Sequence, residues 1–323
     1  MYVSGMIGAG FASGQELTVF FVKYGLAGLM GICLAVLLLF VGTGLALQFC
    51  AKHGVSSYSQ FLAVIDPKLS VLLDLLYALF LIVGVSVMFA GLGAIGETSL
   101  AEFFFRIGSA FMVFVALYGG VQGVLKVSGW LAPFLVVVLL VMAIHRLGVV
   151  GFTRPGSSPV GALEAGTLYA CYNLGFAIAV LASSHQHLKT SKERWQLAFL
   201  GSVMLGVCML VLYLALSTLT KEQLQGPFPL VHLLTNGGQI GRVLYKLMLL
   251  VAMYTTAVAN SLALVSRITQ VRSISWALAS IAVVAVGVIL SYFGFANLIR
   301  VAYPLLGLAG LWIVANLLRE SMT

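Results

Sequence analysis

Long apolar runs, separated by short polar connections, make up nearly the whole chain. A membrane-spanning helix needs about 20 mainly apolar residues, and the runs of roughly that length predict ten spans. They lie at residues 2–22, 26–49, 68–95, 104–119, 122–145, 160–184, 194–216, 239–266, 273–291 and 296–317. The pattern therefore predicts an all-α integral membrane protein with one domain, residues 1–323, and a lipid bilayer as its surroundings.

Composition excludes most other classes. Of the 323 residues, 61% are hydrophobic and only 8% are charged, whereas soluble domains carry about 25% charged residues. The formal charge of +8 comes from Lys and Arg scattered among apolar runs, so these residues indicate loop anchors and not a nucleic-acid surface. The four cysteines show no CxxC spacing, which predicts no metal site.

An internal repeat relates the two halves of the chain. Gly10-Phe11-Ala12 in the first span recurs as Gly175-Phe176-Ala177 in the sixth, 165 residues later. The same offset, with a small drift, brings spans two to five onto spans seven to ten. We therefore predict two five-helix repeats, residues 1–149 and 158–323. An odd number of spans per repeat inverts the second repeat, which is an architecture of transporters.

The first span contains an unusual glycine-rich stretch. Three glycines in seven residues lower helix propensity, and Glu16 follows within the apolar run. One interpretation is close helix packing through Gly10-xxx-Gly14. The other is a broken helix, whose second half begins near Phe11 and turns free N–H groups towards an anion such as a carboxylate. We favour the broken helix, and its predicted solute-binding residues are Gly8, Gly10, Phe11, Ala12, Ser13 and Gly14.

The sixth span has polar residues at the matching position. Tyr172, Asn173 and Gly175 interrupt the apolar run, and Asn with Gly favours a second helix break there. An ordinary interhelical Asn contact is the alternative. In a broken helix, Phe176 becomes an aromatic gate whose face is available to an ammonium group. These four residues complete the predicted solute site.

Three segments resemble a known family. GAGFASGQE at 8–16, YN at 172–173 and GFANLIRVAYPLLGLAG at 294–310 resemble the YkvI-like bacterial membrane proteins, which are similar to the amino acid–polyamine–organocation superfamily. The resemblance implies the leucine-transporter fold, with helices 1 and 6 broken around a midplane site. It also implies a lid formed by the connection 217–238. Family members carry a longer segment before the glycines, so the start is expected to be truncated or misassigned.

The eighth span suggests how transport is coupled. In sodium-coupled members of the resembled fold, this helix offers an alanine carbonyl and two hydroxyls, here Ala252, Thr255 and Thr256. Carbonyls of the first half-helix, from about Ser4 and Ile7, complete that Na⁺ site. The alternative is that both Thr hydroxyls bond back to their own helix. A proton relay through Glu16, Asp74 or Lys126 is the rival coupling.

Together these features predict a secondary active transporter in a bacterial inner membrane. The expected solute is small and carries an amine and a carboxylate, as an amino acid does, and it is moved by alternating access with Na⁺ or H⁺. The alternative is a nutrient sensor that uses the same fold without turnover. No enzyme motif such as HExxH or a nucleophile elbow is present. The basic loop from Lys189 to Arg194 favours a cytoplasmic N-terminus.

Overall fold

The computed structural model describes residues 6–119, 134–146, 158–234, 238–271 and 273–321, and these residues form helices and short connections. We label the helices in chain order. They are α1 Ala9–Ser13, α2 Gln15–Phe20, α3 Gly28–His53, α4 Tyr58–Ile65, α5 Ser70–Ala94, α6 Ser99–Gly119, α7 Phe134–Arg146, α8 Pro159–Ser184, α9 Ser191–Leu216, α10 Lys221–Gln225, α11 Gly238–Val271, α12 Trp276–Ser291 and α13 Phe295–Ser321. Short 3₁₀ segments occupy Val22–Ala27, His185–His187 and Pro229–Leu233.

The all-helical membrane architecture is confirmed. Within the described residues, six helices are long and apolar enough to cross a membrane, and the bent α8 makes a seventh. The apolar helices α7 and α12 are shorter, and α1 with α2 forms the first segment. Residues 120–133, which include the first half of the predicted fifth span, 122–145, lie outside the described part of the chain, as do Ser4 and Lys126.

Successive spans run in opposite directions, which assigns the connections to two membrane faces. Helix α4 joins the second and third spans, and we call its side the α4 face. Residues 217–234, which join the seventh and eighth spans, contain α10 and a 3₁₀ turn. We call these residues the lid, and their side the lid face.

Close helix crossings are made possible by glycines. Helix α3 packs along α8, and their backbones meet at Gly31 and Gly166. A Cβ on Gly166 would overlap the Gly31 carbonyl, and a Cβ on Gly31 would overlap the Ala162 carbonyl. Small residues at such crossings allow close van der Waals contact, which drives helix association where lipid removes the hydrophobic effect between helices.

Ion pairs connect α11 with α5 and with the residues just after α5, one near each membrane face. Helix α5 packs against α11 and α12. At the α4 face, Arg267 of α11 forms an ion pair with Asp74 of α5. At the lid face, Lys246 Nζ of α11 lies 2.6 Å from Oε1 of Glu97, just beyond α5. That hydrogen bond and the charge of Lys246 lower the pKa of Glu97. Asp74 is therefore a pairing partner between α5 and α11 in this structure.

The first span is broken, as predicted, but its breaks lie elsewhere. Gly8 is extended (φ −84°, ψ −175°), and α1 begins at Ala9 and not near Phe11. A second break follows at Gly14, whose φ of 87° separates α1 from α2. Because this left-handed conformation favours glycine, Gly14 turns the chain within the span.

The sixth span is bent at a different place from the predicted one. Helix α8 runs unbroken through Tyr172, Asn173 and Gly175, and it bends by 46° between Ile178 and Val180. Asn173 does not release the backbone, because its Nδ2 donates to the Tyr169 carbonyl one turn earlier, at 3.0 Å. The polar residues at 172–175 therefore present side chains from a regular helix.

Candidate functional site

A buried carboxylate lies where the first and sixth spans meet. Glu16, in the first turn of α2, is only 3% exposed. Its Oε2 accepts a hydrogen bond from the Tyr172 hydroxyl of α8, at 2.7 Å. Carboxylates inside a membrane are costly and usually mark a functional site. This contact brings together the two glycine-containing segments that the sequence singled out.

The Glu16 carboxylate also folds back over α1. A Cβ on Gly10 would overlap Glu16 Oε1, so the absence of a side chain at Gly10 makes room for the carboxylate. The Phe11 backbone hydrogen-bonds the same carboxylate, and Ser13 Oγ donates to the Gly10 carbonyl at 2.8 Å. The sequence predicted an anion against this backbone, and in this structure the protein's own Glu16 occupies that place.

Aromatic rings surround the Tyr172 side of the pair. The Tyr172 ring lies 5.5 Å from Phe20, 5.3 Å from Tyr169 and 5.0 Å from Tyr303, measured between ring centroids. Phe176, the predicted gate, is 6.2 Å away and edge-on to Tyr172. Aromatic faces near a carboxylate are a favourable environment for an ammonium group.

The lid closes over this region from one side. Gln15, next to Glu16, is buried and donates from Nε2 to the Gly226 carbonyl of the lid. Leu230 of the lid packs against Gly14, where a Cβ would overlap its side chain. Tyr245 of α11 donates its hydroxyl to the Ala12 carbonyl at 2.7 Å. The predicted residues Ala12 and Gly14 therefore serve as contact points for the lid and α11.

Two cavities lie on opposite sides of the Glu16–Tyr172 pair. On the lid face, a vestibule of ≈ 320 Å³ is lined by Gln15, Thr18, Val19, Lys23, Lys221, Leu224, Gln225 and Arg300. Towards the α4 face, a cavity of ≈ 30 Å³ is lined by residues that include Phe80 and Gly175. About one water fits into the smaller space, so of these two cavities the vestibule is the one large enough for a small solute.

Phe176 packs against α5 on the side of the smaller cavity. Its ring meets Phe80 of α5 edge-on, with 3.7 Å between ring centroids. Phe80 in turn lines the small cavity, together with Tyr58 and Tyr77, whose rings stack at 3.7 Å. These aromatic contacts connect α8 with α5 between Tyr172 and the α4 face.

The candidate coupling-ion residues lie on one stretch of α11. Thr255 Oγ1 and Thr256 Oγ1 both donate to the Ala252 carbonyl, at 3.1 and 2.8 Å. The backward hydrogen bonds given as the alternative are thus present. The three oxygens still converge, and oxygen donors suit a hard cation once the hydroxyls turn. Ile7 lies at the non-helical step before α1, while Ser4 lies outside the described residues.

Several residues around the pair were not predicted as site residues. Gln15 stands inside the segment GAGFASGQE, and Tyr303 stands inside the other quoted segment, 294–310, so both were within reach of the sequence argument. Phe20, Tyr169 and Tyr245 carry no sequence signal, because an intramembrane aromatic residue is ordinarily part of a core.

Two curated relatives align with nearly the whole chain. It is 25% identical to the membrane protein YkvI of Bacillus subtilis, over 98% of this chain and 93% of that protein. It is 27% identical to the protein YyaD of the same bacterium, over 98% of this chain and 94% of that protein. No protein-family profile matches the chain.

A solved structure has the same arrangement of helices. Mhp1, a nucleobase-cation-symport-1 family transporter in a closed conformation with bromovinylhydantoin bound, superposes with a TM-score of 0.56. The match covers 94% of this chain and 74% of Mhp1, at 18% sequence identity. At that identity the likeness shows the fold alone. The chain is therefore similar along its length to the YkvI-like bacterial membrane proteins and has the leucine-transporter fold.

Proposed function

We propose that the protein is a secondary active transporter of a small solute that carries an amine and a carboxylate, such as an amino acid. The observation that supports this most is the buried Glu16–Tyr172 contact between a broken first span and the sixth span. A carboxylate without a cationic partner is costly inside a membrane. A transported cation or ammonium group supplies that partner.

The proposed binding event is an exchange of partners at Glu16. In this structure Glu16 covers Gly10 and takes the Phe11 backbone hydrogen bond. When solute binds, Glu16 turns to its ammonium group and the aromatic rings around Tyr172 enclose it. The backbone at Gly10 and Phe11 is then free to receive the solute carboxylate. Both charged groups of the solute gain a partner in one step.

Two sets of closing contacts support alternating access. The Gln15–Gly226 hydrogen bond lies between Glu16 and the lid-face vestibule. The Phe80–Phe176 contact lies towards the α4 face. Opening one set while the other stays closed would expose Glu16 to one side at a time. The likeness to the Mhp1 fold supports this architecture without identifying the solute.

The direct test is uptake by purified protein in proteoliposomes, after a thermal-shift screen has identified a stabilising amino acid or related amine. Wild-type protein should accumulate the radiolabelled compound, and Glu16→Gln should not. Glu222→Gln, which removes an exposed acid of α10, is the matched control and should transport normally. Specific binding without accumulation would overturn transport in favour of a sensor.

A further inference from the structure

Three cationic side chains face the vestibule on the lid face. Lys23 follows α2, Lys221 begins α10 of the lid, and Arg300 lies in the second turn of α13. All three line the same space of ≈ 320 Å³, and no acidic residue is among its described lining residues. Three separate segments of the chain therefore contribute one positive charge each to a single cavity.

These charges have no described counter-ion. Among the described residues, none of the three forms a salt bridge, although Lys23 Nζ lies 4.8 Å from the ring centre of Tyr24. Two other cations near the membrane faces are paired, Lys246 with Glu97 and Lys52 with Glu320. Glu222, next to Lys221 in sequence, is exposed and does not line the vestibule. The vestibule thus concentrates unneutralised positive charge.

We propose that the vestibule is an access site for anionic solutes and binds a carboxylate group before the lid opens. A cleft lined by charges of one sign focuses the electric field and raises the local concentration of oppositely charged ligands. The association rate of such ligands rises by about 10- to 1,000-fold as a result. The volume is sufficient for a small solute. Inorganic anions would be attracted by the same field, but a carboxylate solute can also move on from the vestibule towards Glu16.

Gln15 lies between the vestibule and Glu16. Its buried side chain lines the floor of the vestibule and donates to Gly226 of the lid, and Glu16 is the next residue in the chain. A carboxylate held by Lys23, Lys221 and Arg300 would stand on the lid side of this hydrogen bond. This inference deepens the proposed function and rests on it for the identity of the solute, because it favours amino acids with an additional carboxylate.

The electrostatic part can be tested without knowing the solute. Thr18 lines the vestibule, so Thr18→Cys places a thiol there, in a Cys33→Ser background because Cys33 is the exposed native cysteine among the described residues. The thiol is treated with an anionic sulfonatoethyl and a cationic trimethylammonioethyl methanethiosulfonate. Because both reagents need the same thiolate, the ratio of their rates reports the local potential and not the thiol pKa.

We expect the anionic reagent to be favoured by about tenfold at low ionic strength, relative to the same ratio for free cysteine. The preference should fall in Lys23→Gln, Lys221→Gln and Arg300→Gln, and should shrink as salt is added. Lys246→Gln removes a paired charge from the same face and should leave the ratio unchanged. A ratio equal to that of free cysteine, or one that none of the three substitutions alters, overturns the proposal.

The solute part is tested with two amino acids that differ mainly in charge. L-Glutamate and L-glutamine are nearly isosteric, so thermal-shift binding of both to wild-type protein isolates the effect of the second carboxylate. Glutamate should bind more tightly, and Arg300→Gln should reduce that advantage. An anion-favouring thiol without binding of either amino acid would retain the charged vestibule and overturn the assignment of amino acids. Equal binding would overturn the preference for an additional carboxylate.

Discussion

Glu16 and Tyr172 are joined by a 2.7 Å hydrogen bond across the interface between α2 and α8. Both side chains are buried, at 3% and 1% exposure, so the bond lies out of reach of bulk water. It links the chain just after the second break of the first span to the regular part of the sixth span. Any opening between these two spans must break or reorient this bond.

Substitutions of Tyr172 and Glu16 should therefore weaken solute binding by different amounts. Tyr172→Phe removes one hydrogen bond to a charged group, which is worth about 1.5–3 kcal/mol, and should weaken solute binding about 10- to 100-fold. Glu16→Gln removes the charge itself and should weaken it further. Tyr254→Phe, which removes an exposed hydroxyl that contacts the Met112 carbonyl, is the control. Equal effects of all three in a binding assay would contradict the role of the pair.

Gly10 should be intolerant of any side chain, because Glu16 Oε1 occupies the space of its missing Cβ. Gly10→Ala is expected to displace the carboxylate and abolish binding while the protein remains folded. The double variant Gly10→Ala/Glu16→Asp should recover part of the binding, since the shorter acid leaves room for the methyl group. Gly108→Ala, with no atom within 4 Å of its Cβ, is the folding control. No recovery in the double variant would indicate that Gly10 acts through helix packing alone.

The sequence predicted the spans well because apolar runs of spanning length have few alternative structures. The third span, for example, was expected at 68–95 and is Ser70–Ala94. The break in the first span was also predictable, since Gly8 and Gly14 weaken the helix. Its exact positions were not, because local propensity does not distinguish which of Gly8, Gly10 and Gly14 takes the left-handed conformation.

The candidate site was harder to anticipate in the sixth span. Asn173 suggested a break, but its amide satisfies the Tyr169 carbonyl within the helix, and the bend occurs after Ile178. Local propensity did not distinguish these outcomes, because a buried Asn can bond within its own helix or to freed backbone. The aromatic rings around Tyr172 come from three spans, and sequence spacing alone does not bring them together. The repeat bounds, 1–149 and 158–323, and the solute-binding roles stay predictions.

The lid contact should control access from the vestibule. Gln15→Leu keeps much of the volume but removes the donor to the Gly226 carbonyl. We expect a thiol introduced by Ser13→Cys, which is fully buried beneath the lid, to react faster with a water-soluble maleimide in that variant. Gln225→Ala, which changes an exposed lining residue of the vestibule, should leave the rate unchanged. Unaltered labelling in Gln15→Leu would contradict a role of the Gln15–Gly226 hydrogen bond in closing the lid.

The ion pair between Asp74 and Arg267 should affect stability more than transport chemistry. The two side chains are 24% and 28% exposed. The pair is therefore intermediate between a buried and a surface salt bridge. Asp74→Asn is expected to lower the free energy of unfolding by about 1–3 kcal/mol. The exchange Asp74→Arg/Arg267→Asp should recover part of it. If Asp74→Asn instead leaves stability unchanged and removes the pH dependence of uptake, Asp74 is a proton relay after all.

The coupling ion is the last prediction, and the geometry of α11 makes it testable. Thr255 and Thr256 both donate to the Ala252 carbonyl, so a cation at this position must turn two hydroxyls and replace two hydrogen bonds. We predict Na⁺ coupling, because three oxygens converge there and Ile7 lies at the non-helical step before α1. Uptake should then follow an imposed Na⁺ gradient, and Thr255→Ala/Thr256→Ala should lose that dependence. Thr269→Ala, which removes a hydroxyl that also bonds back to its helix, should retain it. The rival is a proton relay through Glu16, Asp74 or Lys126, in which case a pH gradient alone would drive uptake. Uptake that ignores Na⁺ and follows the pH gradient would decide for the proton, and the hydroxyls of Thr255 and Thr256 would then serve only their own helix.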